Sequence, residues 1–118
     1  MKHGAENSNL RQGNVVLVDV PYTDLSGSKI RPALIVSNET VHTLSPDMLV
    51  VPLTSIVRKS QFSIALSDSD LIRGKLFLDS EILINKIICL EKSITTKNIA
   101  TISSSKLEQV IHAIRSLF

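Results

Sequence analysis

Two short stretches of this 118-residue chain carry side chains suited to handling a phosphate: Arg31-Pro32 and Thr54-Ser55. Arginine presents five donors in a rigid fork that matches a phosphate, and it stays charged at any working pH. The Thr54 and Ser55 hydroxyls can add donors to the same group. Basic residues also cluster as Lys29 with Arg31, Arg58 with Lys59, and Arg73 with Lys75. Such local density matters more to a polyanion than the formal charge of +2, because each neutralised phosphate releases a counterion. Spacing alone leaves other readings open. Arg31 also fits an exposed strand arginine, Thr54-Ser55 a capping pair, and the basic pairs a solvated surface.

Other chemistries find little support. The three histidines lack metal-ligand spacing: His3 is near the start, His42 in a polar connection and His112 on a terminal helix. Cys89 stands alone, so no intrachain disulfide or cysteine metal cluster is possible, and its apolar setting predicts a buried, inert thiol. There is no phosphate loop, dinucleotide fingerprint or serine-hydrolase elbow. The first dozen residues hold no secretion-like apolar stretch, and no window approaches the roughly 18 apolar residues of a membrane span. A cytoplasmic protein without metal or cofactor, and without membrane contact, is expected.

The elements that must position these residues are short strands. With four aromatic residues and no Trp, the core must come from Ile, Leu and Val, which favour pleated sheet. Residues Met1 to Gln12 read as a flexible polar tail and residues 13–118 as one domain. A strand is expected from Gly13 to Val20, and Asp19 breaks its apolar run toward solvent or another subunit. A second runs from about Lys29 to Ser37 and a third from Met48 to Leu53, where Pro52 argues for a strand end or an edge. Gln61–Leu66, Lys75–Asp79 and Ile82–Leu90 follow as candidate strands, with a turn at Ser67–Asp70. The period then changes: Leu107, Val110, Ile111, Ile114 and Phe118 form one helical stripe. Ser105 with Glu108 has capping-box spacing, and Ser103 is an alternative cap. Short strands with one terminal helix predict a small, mainly β barrel.

The wording of the first two strands adds more. Residues Gly13 to Ser37, running from Gly13-Asn14-Val15-Val16-Leu17-Val18-Asp19-Val20-Pro21-Tyr22 to Lys29-Ile30-Arg31-Pro32-Ala33-Leu34-Ile35-Val36-Ser37, closely resemble the opening of the MazF/PemK toxin endoribonucleases. Val51-Pro52-Leu53-Thr54-Ser55, Gly74 through Asp79, and the closing strand and helix are similar to that family too. The resemblance implies an SH3-like small barrel of the CcdB/PemK toxin type with a C-terminal α-helix, usually as a homodimer. It implies metal-independent cleavage of single-stranded RNA, such as mRNA, at short sequences, held in check by a cognate antitoxin. By motif position Arg31 matches the catalytic arginine and Thr54 the hydroxyl at the scissile phosphate, with Ser55 beside it. Asp79 falls where some members carry an acidic residue implicated in the reaction; Phe77 stands where such a member has an arginine. A structural, backbone-bonded Asp79 is the alternative.

RNA contacts are expected at Tyr22, Ser28, Lys29, Arg58 and Lys59, with base choice resting on Thr23–Ser28 and Val57–Gln61. Tyr22 can stack on a base or sit in the core. Two other readings share the fold: a CcdB-like toxin that binds gyrase, and an inactive nucleic-acid-binding barrel.

Overall fold

The computed structural model describes residues 9–21 and 26–118; Tyr22 and Thr23–Leu25, like His3 and the rest of residues 1–8, lie outside them. Eight strands form one antiparallel sheet: β1 (Asn14–Pro21), β2 (Ser28–Ile35), β3 (Asp47–Thr54), β4 (Ser63–Leu66), β5 (Leu71–Gly74), β6 (Ser80–Leu83), β7 (Ile88–Glu91) and β8 (Thr95–Ile102). A short helix α1 (Glu39–Leu44) precedes β3, and α2 (Ser104–Arg115) closes the described chain. The sheet runs β4-β6-β3-β2-β1-β8-β5, with β7 also paired to β3. Register shifts between β1 and β8, at Val15/Val16 and Leu17/Val18, mark bulges that bend and twist the sheet. This curled sheet and terminal helix give the expected mainly β architecture.

The central strands are buried on both faces, which explains their unbroken apolar runs. Val15, Leu34, Val51 and Leu53 enter one core cluster, against which Leu107, Ile111 and Ile114 of α2 also pack. Val16, Val18, Ala33, Ile35, Met48 and Val50 enter a second cluster on the other face, together with Leu10. Leu10 is 2% exposed and the Gln12 side-chain amide donates to the Val36 carbonyl (2.8 Å). Leu10 and Gln12, ahead of the domain start expected at Gly13, thus both contact the body of the domain.

Several sequence expectations need correction. Pro52 lies inside a central strand, paired with Ala33. On its other side β3 pairs with β7 up to Val50 and with β6 from Leu53, so the proline sits where the partner changes. The fifth strand is Leu71–Gly74, and Lys75–Asp79 is a bend. Gly74 forces this: its φ is +83°, and a Cβ there would lie 2.0 Å from the Ile99 carbonyl oxygen. The Asp68 carboxylate then accepts from the Leu76 amide (2.9 Å) and holds the bend. The run Ile82–Leu90 is two strands separated by a turn at Ile84-Asn85. Ser103 caps α2, accepting from the Lys106 amide (3.2 Å), and Phe118 lies beyond the helix at 96% exposure. Cys89 is exposed on β7.

The sheet's outer strands are short: β4, β5 and β7 have four residues each, against eight in β1, β2, β3 and β8. Lys106 of α2 reaches over β4, donating to the Ala65 carbonyl (3.2 Å) with Asp70 beside its ammonium (3.7 Å).

Candidate active site

Arg31 sits near the outer end of β2, opposite Val18 of β1. The β2–β3 pairing proceeds from Ile35↔Val50 through Leu34↔Val51 to Ala33↔Pro52. Continuing that register sets Arg31 opposite Thr54. Two adjacent strands, each anchored in the core, thus carry the guanidinium and the hydroxyl to one place. Arg31 is exposed, and neither ion pair between described side chains involves it, so its five donors remain available to an incoming anion.

Arg31, Pro32, Thr54 and Ser55 line a surface depression of about 280 Å³, whose far wall holds Phe77 and Leu78. A second depression of about 350 Å³ lies on the other side of Arg31 and Thr54, which line both. Its walls are mostly apolar, with Lys86 as a second cation. Thr54 Oγ1 accepts from the Ile56 amide (3.1 Å). That bond uses the oxygen as an acceptor and leaves the hydroxyl proton free to donate outward.

The remaining expected residues are more scattered. Ser28 and Lys29 are exposed at the start of β2, and Tyr22 lies outside the described residues. Arg58 and Lys59 are exposed on the loop after β3. Asp79 is exposed in the turn before β6 and lines neither depression, although its neighbours Leu78 and Ser80 line the first. Among the described residues Arg31 is the one ionisable side chain lining that depression, and no cluster of three His, Cys, Asp or Glu could hold a metal ion.

Three nearby residues were not singled out for a role by sequence reasoning. Phe77 is 84% exposed beside Arg31 and Thr54, in a segment whose sequence predicts a strand. Lys86 follows a turn that the sequence hid inside one long strand. Glu81 is 4% exposed on β6, paired with Thr54. Its two carboxylate oxygens accept from the backbone amides of Arg58 (3.0 Å) and Lys59 (3.1 Å). The Arg58 amide does most to hold this carboxyl below its usual range; burial opposes it, and the Lys59 amide, the Ser63 side chain and the Lys59 charge assist.

Residues 11–118 match the family described as the PemK-like, MazF-like toxins of type II toxin–antitoxin systems, and the chain belongs to that family. Endoribonuclease MazF of Staphylococcus saprophyticus is 29% identical over 106 residues, 89% of this chain and 88% of that one. Among solved structures, a MazE–MazF complex from Deinococcus radiodurans superposes with a TM-score of 0.75 at 21% identity, covering 92% of this chain and 94% of that one. A mycobacterial endoribonuclease in complex with its cognate antitoxin gives 0.74 at 21% identity, covering 91% and 92%. At that identity the structural likeness is one of fold.

Proposed function

We propose that this toxin is an endoribonuclease that cleaves single-stranded RNA in the depression shared by Arg31 and Thr54. The observation that carries the reading is the meeting of an unpaired guanidinium and a free hydroxyl donor on adjacent strands. It stands in a chain related over most of its length to a MazF endoribonuclease.

In the proposed reaction the ribose 2′-oxygen bonds to the adjacent phosphorus and the bond to the 5′-oxygen breaks. The 2′-hydroxyl gives up its proton and the departing 5′-oxygen gains one. The products are a 2′,3′-cyclic phosphate and a 5′-hydroxyl. Because the nucleophile belongs to the substrate, the protein's task is to orient it and to stabilise charge on the phosphorane. Arg31 supplies that charge, with the Thr54 hydroxyl as a directed donor and Ser55 beside it. A guanidinium with a pKa above about 12 is a poor base near neutral pH, so the role of Arg31 is electrostatic. The exposed Phe77 ring offers a neighbouring base a stacking face. Asp79 is close in sequence to this wall but stands outside the depression, so no step is routed through it.

The partners follow from the same membership: an antitoxin that restrains the activity and, for the active form, a second copy of the chain. The test is cleavage of a mixed-sequence RNA by the purified protein in EDTA, with product ends mapped. Discrete cuts ending in cyclic phosphate are expected, with Arg31→Ala slower by about 10²–10³. Full cleavage by Arg31→Ala would overturn the assignment. Intact RNA with poisoned gyrase would favour the CcdB-like reading, and RNA bound but uncut the inactive barrel.

A further inference from the structure

We infer that Glu81 is a positioning residue that fixes the Arg58–Lys59 turn as an RNA-gripping element beside the scissile phosphate; this rests on the nuclease reading above. The usual fate of a buried carboxylate beside two cations is to pair with their side chains and neutralise them. Glu81 does otherwise. It binds the backbone amides of Arg58 and Lys59, one with each oxygen, and both cationic side chains stay exposed. Neither ion pair between described side chains includes Arg58, Lys59 or Glu81. The clamp therefore sets the turn in place while leaving its two positive charges for another anion.

The placement supports the same conclusion. Glu81 pairs with Thr54 across β6 and β3, so the clamp and the phosphate-facing hydroxyl share one rung of the sheet. The loop from Thr54 to Ser63 is fastened at both ends: the Thr54 hydroxyl takes the Ile56 amide, and the Ser63 amide donates to the Ser60 carbonyl. Between them Lys59 adopts a left-handed backbone at φ 51°, a conformation costly for a residue other than glycine. The two bonds to Glu81 hold that conformation. Single-stranded RNA offers a phosphate at every nucleotide, and a pre-set pair of cations engages one without first paying to order the loop.

The test compares steady-state cleavage of one RNA substrate by wild type, Glu81→Gln and Glu81→Ala, each checked for folding by circular dichroism. Glutamine keeps the volume but only one acceptor oxygen, so it serves as the graded variant if alanine fails to fold. The expected result is a KM raised about tenfold in Glu81→Gln and further in Glu81→Ala, with kcat changed less than about threefold. Replacing Arg58 and Lys59 together by alanine should also raise KM about tenfold in wild type, but under about threefold in the Glu81→Gln background, since coupled groups are not additive. In Glu81→Gln alone the Arg58 and Lys59 amides should exchange faster while those of Val50 and Val51 stay protected. If Glu81→Gln matches wild type in KM, or the two losses simply add, Glu81 is packed volume and the inference is overturned. Full activity of Arg31→Ala, by contrast, would overturn the nuclease site itself.

Discussion

Thr54→Val separates the two jobs of one hydroxyl. The substitution keeps the branched shape and removes the oxygen that accepts from the Ile56 amide at 3.1 Å. That bond is exposed, so water can replace it, and its loss costs about 0.5–1.5 kcal/mol of stability at most. The donor aimed at the phosphate is a different matter, because its acceptor is charged. Hydrogen bonds to charged groups contribute about 1.5–3 kcal/mol, which corresponds to a rate loss of roughly 10- to 150-fold if the bond is made in the transition state. Single-turnover cleavage with excess enzyme reads that loss directly, and a thermal melt reads the stability term. Thr54→Ser, which keeps the hydroxyl, should recover most of the rate. A Thr54→Val enzyme that cleaves at the wild-type rate, with little change in melting, would refute the geometry proposed for the Arg31–Thr54 depression.

Two further outcomes test the frame around that site. Gly74→Ala must place a Cβ 2.0 Å from the Ile99 carbonyl oxygen and 2.7 Å from the Ala100 Cα, both on backbone that cannot swing aside. Strain and overpacking together should cost about 2–5 kcal/mol, and a melting temperature within about 2 °C of wild type would contradict this. The Glu81 clamp should also answer to pH. Its carboxyl is held below the usual range by the Arg58 amide, against the push of burial, with help from the Lys59 amide, Ser63 and the Lys59 charge. A carboxyl lowered on folding stabilises the fold at pH values above the usual range, and this is lost as the pH falls through the lowered value. The Arg58 and Lys59 amide proton shifts should therefore titrate with a midpoint below that of an ordinary glutamate. A midpoint at or above the ordinary glutamate value would contradict the clamp.

How legible the molecule was in its sequence depended on whether a signal was local. Val15–Val18, Ala33–Val36 and Leu49–Leu53 announce themselves because strands buried on both faces need no polar alternation. The helix stripe at Leu107, Val110, Ile111 and Ile114 is equally plain, although its cap is Ser103 and not Ser105. Lys75–Asp79 misleads because Leu76 and Leu78 alternate like a strand. What breaks it is a left-handed Gly74 and a carboxylate from Asp68, eight residues back from the amide it takes. The strand Thr95–Ile102 gave no periodic signal of its own and entered only through family likeness. For the site, Arg31 and Thr54 could be named because they sit in a recognisable wording. Their placement on one rim needed the register of β2 on β3. Glu81 carried no such mark. It is one acid among eleven, and its partners lie 23 and 22 residues away, brought close only by folding of the loop.

The short outer strands have a consequence for how the molecule lives among copies of itself. An open sheet edge is a template for another chain, and a long apolar one invites fibril growth. Here each edge strand, β4, β5 or β7, is only four residues long, and on β4 the Lys106 ammonium already occupies the Ala65 carbonyl. A visiting strand would find few bonds to make and a charge to displace. The long, strongly apolar strands that would propagate an aggregate, β1, β2 and β3, are enclosed by neighbours on both sides. Protection against polymerisation is thus a property of the rim, and lengthening β5 would erode it sooner than most changes in the interior.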